Sequence, residues 1–324
     1  MSSSGGTKAV LAALTANLGI AVVKFLAFLL TQSSSMLAES IHSVADSGNQ
    51  VLLLIGGKRA RRNPDPEHPF GYGRERYIYG FIVAIVLFAV GGLFALYEGY
   101  HKVIHPEAIH SWQWVPIVVL VVSIALEGNS FRTALRESRQ ARSKVGFLGY
   151  IRRAKNPELP VVLLEDSAAL LGLIFALFGV GLTLLTGNGL FDGLGTLAIG
   201  ALLVCVAATL AVETKSLLLG ESATAANVRS IEAAILDGPE AERIIHMRTM
   251  HLGPEELLVA VKVAVHHDDT AREVARGIDA IEARIRAAVP IAHVIYVEPD
   301  LYRAAAPKPE SEPELESESE SERH

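Results

Sequence analysis

Six long apolar runs constrain the fold of this chain more than any other feature of its sequence. Each run is long enough to cross about 30 Å of hydrocarbon as a helix, which takes roughly 20 residues. Half of all residues are hydrophobic, a composition typical of membrane proteins rather than soluble domains. We therefore predict an α-helical membrane protein with six transmembrane helices, near residues 8–31, 35–57, 77–101, 113–135, 160–186 and 190–215.

Basic residues predict the orientation of these helices, because short cytoplasmic loops carry an excess of lysine and arginine. They are concentrated in the loops after the second and fourth runs, whereas the first and fifth loops have none. We expect a multi-pass protein with both termini in the cytoplasm, located in the cell (inner) membrane. The polar residues 1–7 precede a first run that is too long for a removable signal peptide and lacks a cleavage pattern.

The sequence pattern changes after residue 215 to that of a soluble domain. An amphipathic helix near 223–237 precedes two β-rich runs, ERIIHMRTMHL and ELLVAVKVAVHH, and a helix near 270–288 precedes the short strand HVIYV. This order predicts a cytoplasmic α-β-β-α-β domain over residues 216–300. Residues 301–324 are rich in serine and glutamate, which predicts a disordered acidic tail because such a segment cannot bury apolar surface.

Charge and cysteine content exclude few functions. The net charge of -6 reflects the acidic tail and conceals basic loops further upstream. Cys205 is the only cysteine and lies in an apolar run, so one chain can form neither a disulfide nor a thiolate metal cluster. We expect a lipid bilayer and no nucleic acid among the partners.

The second apolar run carries a polar face, although charged side chains are energetically costly inside a membrane. Glu39, His42 and Asp46, with Asn49 and Gln50, fall within about a quarter turn of one another. An imidazole and a carboxylate four residues apart can bind the same ion, because these positions are adjacent on a helix surface. This predicts a metal site, although a hydrogen-bonded seam between helices is the alternative.

Ligand type indicates which metals this site would bind. Nitrogen and oxygen ligands without thiolate favour zinc, and also admit manganese, iron(II), cobalt and nickel. The fifth run adds Glu165 and Asp166, which point about 100° apart. Further intramembrane candidates for contact with substrate or protons are Asn17, Lys24, Glu127, Asn129 and Asp192. For Lys24 and Glu127, mutual neutralisation is the alternative interpretation.

The segments MLAESIHSVADSGNQ, DPEHPFGYGRER and LLEDSAALLG together resemble the cation diffusion facilitators. The resemblance covers residues 8–299 and is greatest to the branch of zinc transporters that includes a mitochondrial zinc exporter of animals. It implies a homodimer that couples metal export to proton entry, and a soluble domain with a metallochaperone-like fold.

The resemblance also implies a set of metal ligands. The transport site falls on His42, Asp46 and Asp166, while Val162 stands where many members have histidine. Three ligands leave one zinc position open for water or for an additional ligand such as Glu39 or Glu165.

Two other regions of the chain depart from the family pattern. Asp65 and His68 match a second, weak cytoplasmic site, but its last position is Tyr72, and a turn is the alternative for this loop rich in proline and glycine. In the soluble domain, Lys262 and Val297 replace expected histidines. We therefore expect no complete binuclear site there.

Together these features predict a proton-coupled exporter of a divalent transition metal, with zinc as the transported substrate and no enzymatic activity. Two alternatives are a proton-coupled carrier of an organic cation and a non-transporting metal-sensing scaffold in the membrane. The organic-cation alternative predicts a pocket lined by aromatic residues.

Overall fold

The computed structural model describes residues 4–31, 34–106, 113–139 and 146–302. Within α2, the side chains of Glu39 and His42 lie outside the described residues, as does the predicted acidic tail from residue 303 onward. The helices are α1 (Ser4–Thr31), α2 (Ser34–Arg59), α3 (Glu75–Val86), α4 (Phe94–Ile104), α5 (Trp114–Glu137), α6 (Gly146–Arg153), α7 (Glu158–Thr186), α8 (Leu190–Leu219), α9 (Ala225–Leu236) and α10 (Ala271–Ala288). The strands are β1 (Arg243–Gly253), β2 (Glu256–Ala264) and β3 (Ala292–Asp300).

The protein is a helical membrane protein. Among the described residues, four helical segments are long and apolar enough to span a bilayer: Glu75–Ile104, Trp114–Glu137, Glu158–Thr186 and Leu190–Leu219. In α1 the apolar helical stretch is the shorter Val10–Leu26, and α2 contains the polar face described above. That α1 and α2 also span the membrane therefore stays a prediction. The total of six transmembrane helices stays a prediction for the same reason.

The segment Glu75–Ile104 is not a uniform α-helix. Its middle, Leu87–Leu93, is a π-helix that joins α3 to α4 without interruption. Such segments commonly occur where a helix adapts to its neighbours or to a functional site. Neither this segment nor the short α6 is predicted by the apolar runs.

Glycines allow α4 and α8 to pack closely. A Cβ on Gly99 would lie 2.6 Å from the backbone nitrogen of Leu197, and one on Gly200 would lie 2.7 Å from that of Leu96. Backbones approach this closely only where side chains are absent, a common solution in membrane helix pairs. The same helical unit contains a buried ion pair, with Arg76 Nε 3.4 Å from Glu158 Oε1.

Apolar side chains occupy both the interior and the outer surface of the helices. Val162 and Leu163 of α7 are fully buried in the main core with Leu53 of α2. On the outside, Phe178 and Leu185 are largely exposed. A helical surface that presents many apolar side chains is suited to lipid rather than water.

The described residues divide into two compact units that are discontinuous in sequence. One lies within 4–224, 249–258 and 291–294, and the other within 225–248, 259–290 and 295–302.

The C-terminal elements follow the order α9-β1-β2-α10-β3, and the strands form a three-stranded sheet in the order β1-β2-β3. Within β2, buried residues Leu257, Val259, Val261 and Val263 alternate with less buried ones. This period of two is that of a sheet with one covered face. Helix α10 begins with a capping box formed by Thr270 and Glu273.

Candidate functional site

Helix α2 brings the predicted His42 and Asp46 positions one helical turn apart. The Asp46 side chain is buried, although it belongs to a helix with many polar residues. Other side chains on this helix bond to its neighbour α1: Ser40 Oγ donates to the Ala21 carbonyl oxygen over 3.2 Å, and Ser43 Oγ accepts from Lys24 Nζ over 3.0 Å. The polar face of α2 therefore includes a hydrogen-bonded seam.

Asp46 lines a small, partly open cavity of about 40 Å³ together with Lys24, Ser43 and Glu127. These four residues come from α1, α2 and α5, while aliphatic residues of α7 and α8 complete the wall. The volume is large enough for a water molecule or a small ion, since about 10–15 Å³ of this measure accommodates one water. The cavity is therefore small and lies among the helices, with three ionisable side chains in its wall.

Asp166 lies deep in α7 and is almost fully buried. Its Oδ2 accepts a hydrogen bond of 2.8 Å from Ser130 Oγ on α5. This bond orients the carboxylate but leaves Oδ1 without a hydrogen bond to Ser130. Val162, the position one turn earlier, is buried in the apolar core.

Glu165, the neighbour of Asp166, joins α7 to α2. Its Oε1 accepts from Asn49 Nδ2 over 3.0 Å, and its Oε2 accepts from Gln50 Nε2 over 2.8 Å. Both carboxylate oxygens are thus engaged by amides. Sequence reasoning grouped Asn49 and Gln50 on the polar face but did not identify Glu165 as their partner.

The predicted cytoplasmic site forms a closed turn. Asp65 Oδ1 accepts from the backbone nitrogens of Glu67 and His68, and Oδ2 accepts from the Tyr72 hydroxyl. The Tyr72 bond, followed by the His68 backbone bond, holds the pKa of Asp65 below its ordinary value. Tyr72 occupies the third position of the predicted site, and its hydroxyl donates a hydrogen bond to Asp65.

Several other candidates have internal partners. Asp192 at the start of α8 pairs with Lys102 of α4, with 3.0 Å between Oδ2 and Nζ. Lys262 Nζ lies 2.7 Å from Glu298 Oε1 and 3.2 Å from Asp300 Oδ2.

In the C-terminal unit, His266 contacts Glu242 and the Pro239 carbonyl oxygen. Among the residues that the structure describes, no three His, Cys, Asp or Glu side chains are grouped to hold a metal ion. The His42 side chain lies outside the described residues, so this statement does not extend to the set His42, Asp46 and Asp166.

Comparison with known proteins decides the family. The family of the cation efflux transmembrane domain matches residues 10–219. The chain belongs to the cation diffusion facilitators. This match covers each of the helices α1–α8 in whole or in large part. It therefore includes the cavity and the carboxylates of Asp46 and Asp166.

Curated relatives of this cation diffusion facilitator extend beyond the matched region. It is 37% identical over 251 residues to the human "Proton-coupled zinc antiporter SLC30A9, mitochondrial", which is 77% of this chain and 44% of that protein. The Xenopus laevis protein of the same name is 38% identical over 225 residues, 69% of this chain and 40% of its own length. "Metal tolerance protein C4" of Arabidopsis thaliana is 31% identical over 217 residues, 66% and 47% of the two chains. The chain thus spans less than half the length of these relatives.

Proposed function

We propose that this chain exports a divalent transition-metal cation, with zinc as its substrate, in exchange for protons by alternating access. The observation that carries the proposal is the burial of Asp46 and Asp166 inside the helical unit. Ionised carboxylates are costly at membrane depth unless a cation or proton compensates them. A site that alternately holds a metal and protons meets this requirement.

The proposed ligands are His42, Asp46 and Asp166, with one zinc position open. Zinc favours four ligands, and a transported ion is released more readily when one of them is water. The two hydrogen bonds to Glu165 make it a weaker candidate for the open position than Glu39. Relatives named as zinc antiporters support zinc as the substrate.

Competition between metal and protons would supply the coupling. Metal binding needs neutral imidazole and ionised carboxylates, so the same groups bind either protons or the ion. On one side of the membrane the metal displaces protons, and on the other side protons expel the metal. The name "proton-coupled zinc antiporter" carried by two relatives supports this exchange.

The proposal includes the remaining features expected of the whole protein. These are six spans, a homodimer, cytoplasmic termini in the cell (inner) membrane and a metallochaperone-like domain over residues 216–300. In the loop, Asp65 and His68 form at most an accessory metal site, because the Asp65 oxygens already accept hydrogen bonds.

The cavity favours an inorganic ion over an organic cation. The described side chains that line it are polar or aliphatic, whereas organic cations are commonly bound against aromatic rings. Phe175 and Phe178 of α7 are exposed on the helical surface and not among the cavity residues. Among the residues that the structure describes, the aromatic lining expected for an organic-cation carrier is thus absent from this cavity.

Transport by purified protein tests the assignment. We expect His42→Ala and Asp46→Ala each to abolish zinc flux into proteoliposomes, because each removes one of three ligands. Val44→Ala, on the exposed side of the same helix, is the matched control and should retain wild-type flux. Undiminished flux in both ligand variants would remove His42 and Asp46 from the site.

A further inference from the structure

Lys24 is a buried cation in the middle of α1, in a stretch that is otherwise mostly apolar. Only 4% of it is exposed, and its Nζ donates to Ser43 Oγ on α2. Ser43 precedes Asp46 by three residues, so the two lie on the same side of α2. The bond therefore holds the ammonium group beside the proposed transport site.

Glu127 brings a second carboxylate to the same place from α5. It is 5% exposed, and its Oε2 has no hydrogen-bond partner within the described part of the chain. Lys24, Asp46 and Glu127 all line the small cavity. Three helices thus contribute one basic and two acidic side chains to a cavity of about 40 Å³.

We propose that Lys24 is a permanent countercharge in the transport cavity. Its positive charge lowers the affinity of the cavity for the metal, so that the ion can leave. The inference rests on the proposed function and adds a residue that determines affinity. With no metal bound, the ammonium compensates the carboxylates of the cavity. When a divalent cation enters, the same ammonium repels it.

Glu127 has the complementary role of retaining the metal near the ligands. When ionised, its carboxylate offsets the charge of Lys24, so the pair together sets the net charge that an entering ion meets. A low local dielectric makes such interactions stronger than they would be in water. A purely structural link between α1 and α5 would instead affect folding and leave metal affinity unchanged.

Zinc flux in proteoliposomes separates these two roles. We expect Lys24→Gln, which retains a donor for Ser43, to lower the KM for zinc about tenfold and to slow the maximal rate. Glu127→Gln should raise KM by a similar factor. The double variant should return KM towards the wild-type value, because it removes both charges together.

Two controls isolate charge from packing. Lys24→Arg keeps the positive charge and should retain the wild-type KM. Leu18→Ala changes an exposed position of the same helix and should alter neither the KM nor the maximal rate. Thermal unfolding of each variant in detergent reports folding separately. If Lys24→Gln does not fold, Glu127→Gln decides, since a raised KM supports the proposal and an unchanged one overturns it.

Failure of this inference is distinguishable from failure of the proposed function. Wild-type zinc flux together with an unchanged KM in Lys24→Gln and Glu127→Gln would overturn the countercharge alone. A fall in thermal stability with no change in KM would assign both residues a structural role and would also overturn it. Wild-type protein without metal flux would overturn the proposed function itself, and the countercharge with it.

Discussion

Buried polar side chains dominate the helical unit at the scale of single residues. Glu165 accepts from two amides, Asp166 accepts from Ser130 and Lys24 donates to Ser43. Each bond joins two different helices. Removing one partner would deprive a buried polar group of that bond, and no water is at hand to replace it, which makes the loss costly. These side chains therefore fix which faces of the helices meet.

His251 offers a residue-scale prediction outside the membrane segments. It is 1% exposed, its Nδ1 lies 3.3 Å from the Gly253 carbonyl oxygen and its Nε2 has no partner among the described residues. Burial lowers its pKa below the ordinary 6.5, and Lys155 acts in the same direction, while the Gly253 carbonyl and Glu221 oppose the shift. The folded protein therefore favours the neutral imidazole.

A lowered pKa in the folded state has a defined effect on stability. Above pH 6.5 both states are neutral at His251, whereas below it the unfolded chain binds a proton first. Stability is thus lost as the pH falls from 6.5 towards the lower, folded-state pKa. We expect the thermal midpoint to fall more between about pH 7.5 and about pH 5.5 in wild type than in His251→Gln. Equal slopes in metal-free buffer would contradict this assignment.

Part of the candidate site could be predicted from the sequence because polar residues are conspicuous in apolar runs. Asp46 and Asp166 stand out in this way, and both prove to be buried. The hydrogen bonds from Asn49 and Gln50 to Glu165 could not be predicted. Residues 165 and 166 differ by about 100° in direction, so the rotation and depth of α7, which depend on packing, decide which partner each one meets.

At the scale of secondary-structure elements, hydropathy predicts helices better than it predicts their irregularities. Helix α7 begins at Glu158, two residues before the expected start, and ends at Thr186 as expected. The π-helix Leu87–Leu93 could not be predicted, because its segment LFAVGGL has no polar residue that would reveal a shift in the helical pattern. Helix α6 could not be predicted from hydropathy, because its eight residues form no long apolar run.

The close contact between α4 and α8 gives a prediction at this scale. We expect Gly200→Ala to destabilise the protein by about 1–3 kcal/mol, since the new Cβ would collide with the backbone of Leu96. Gly181→Ala in α7 is the matched control, because a Cβ there has no atom within 4 Å. Thermal unfolding in detergent measures both. Similar midpoints for the two variants would mean that the α4–α8 contact can relax.

At the scale of the whole molecule, the family and the helical membrane fold agree with what the sequence predicts. The number of spans is harder to predict from composition, because the polar residues of α2 reduce the apolar character of this helix. The predicted orientation, the predicted dimer and the role of the predicted soluble domain cannot be read from the packing within one chain. These remain part of the proposal and follow from loop charge and family resemblance.

Proton coupling is the central claim of this account, and simultaneous measurement of zinc and proton movement in proteoliposomes tests it most directly. An imposed gradient with an acidic interior should accelerate zinc uptake, and added zinc should drive protons outward. Asp46→Asn should abolish both movements, because one carboxylate serves both ions. Zinc flux that is unchanged when the gradient is collapsed, with no accompanying proton movement, would contradict the account.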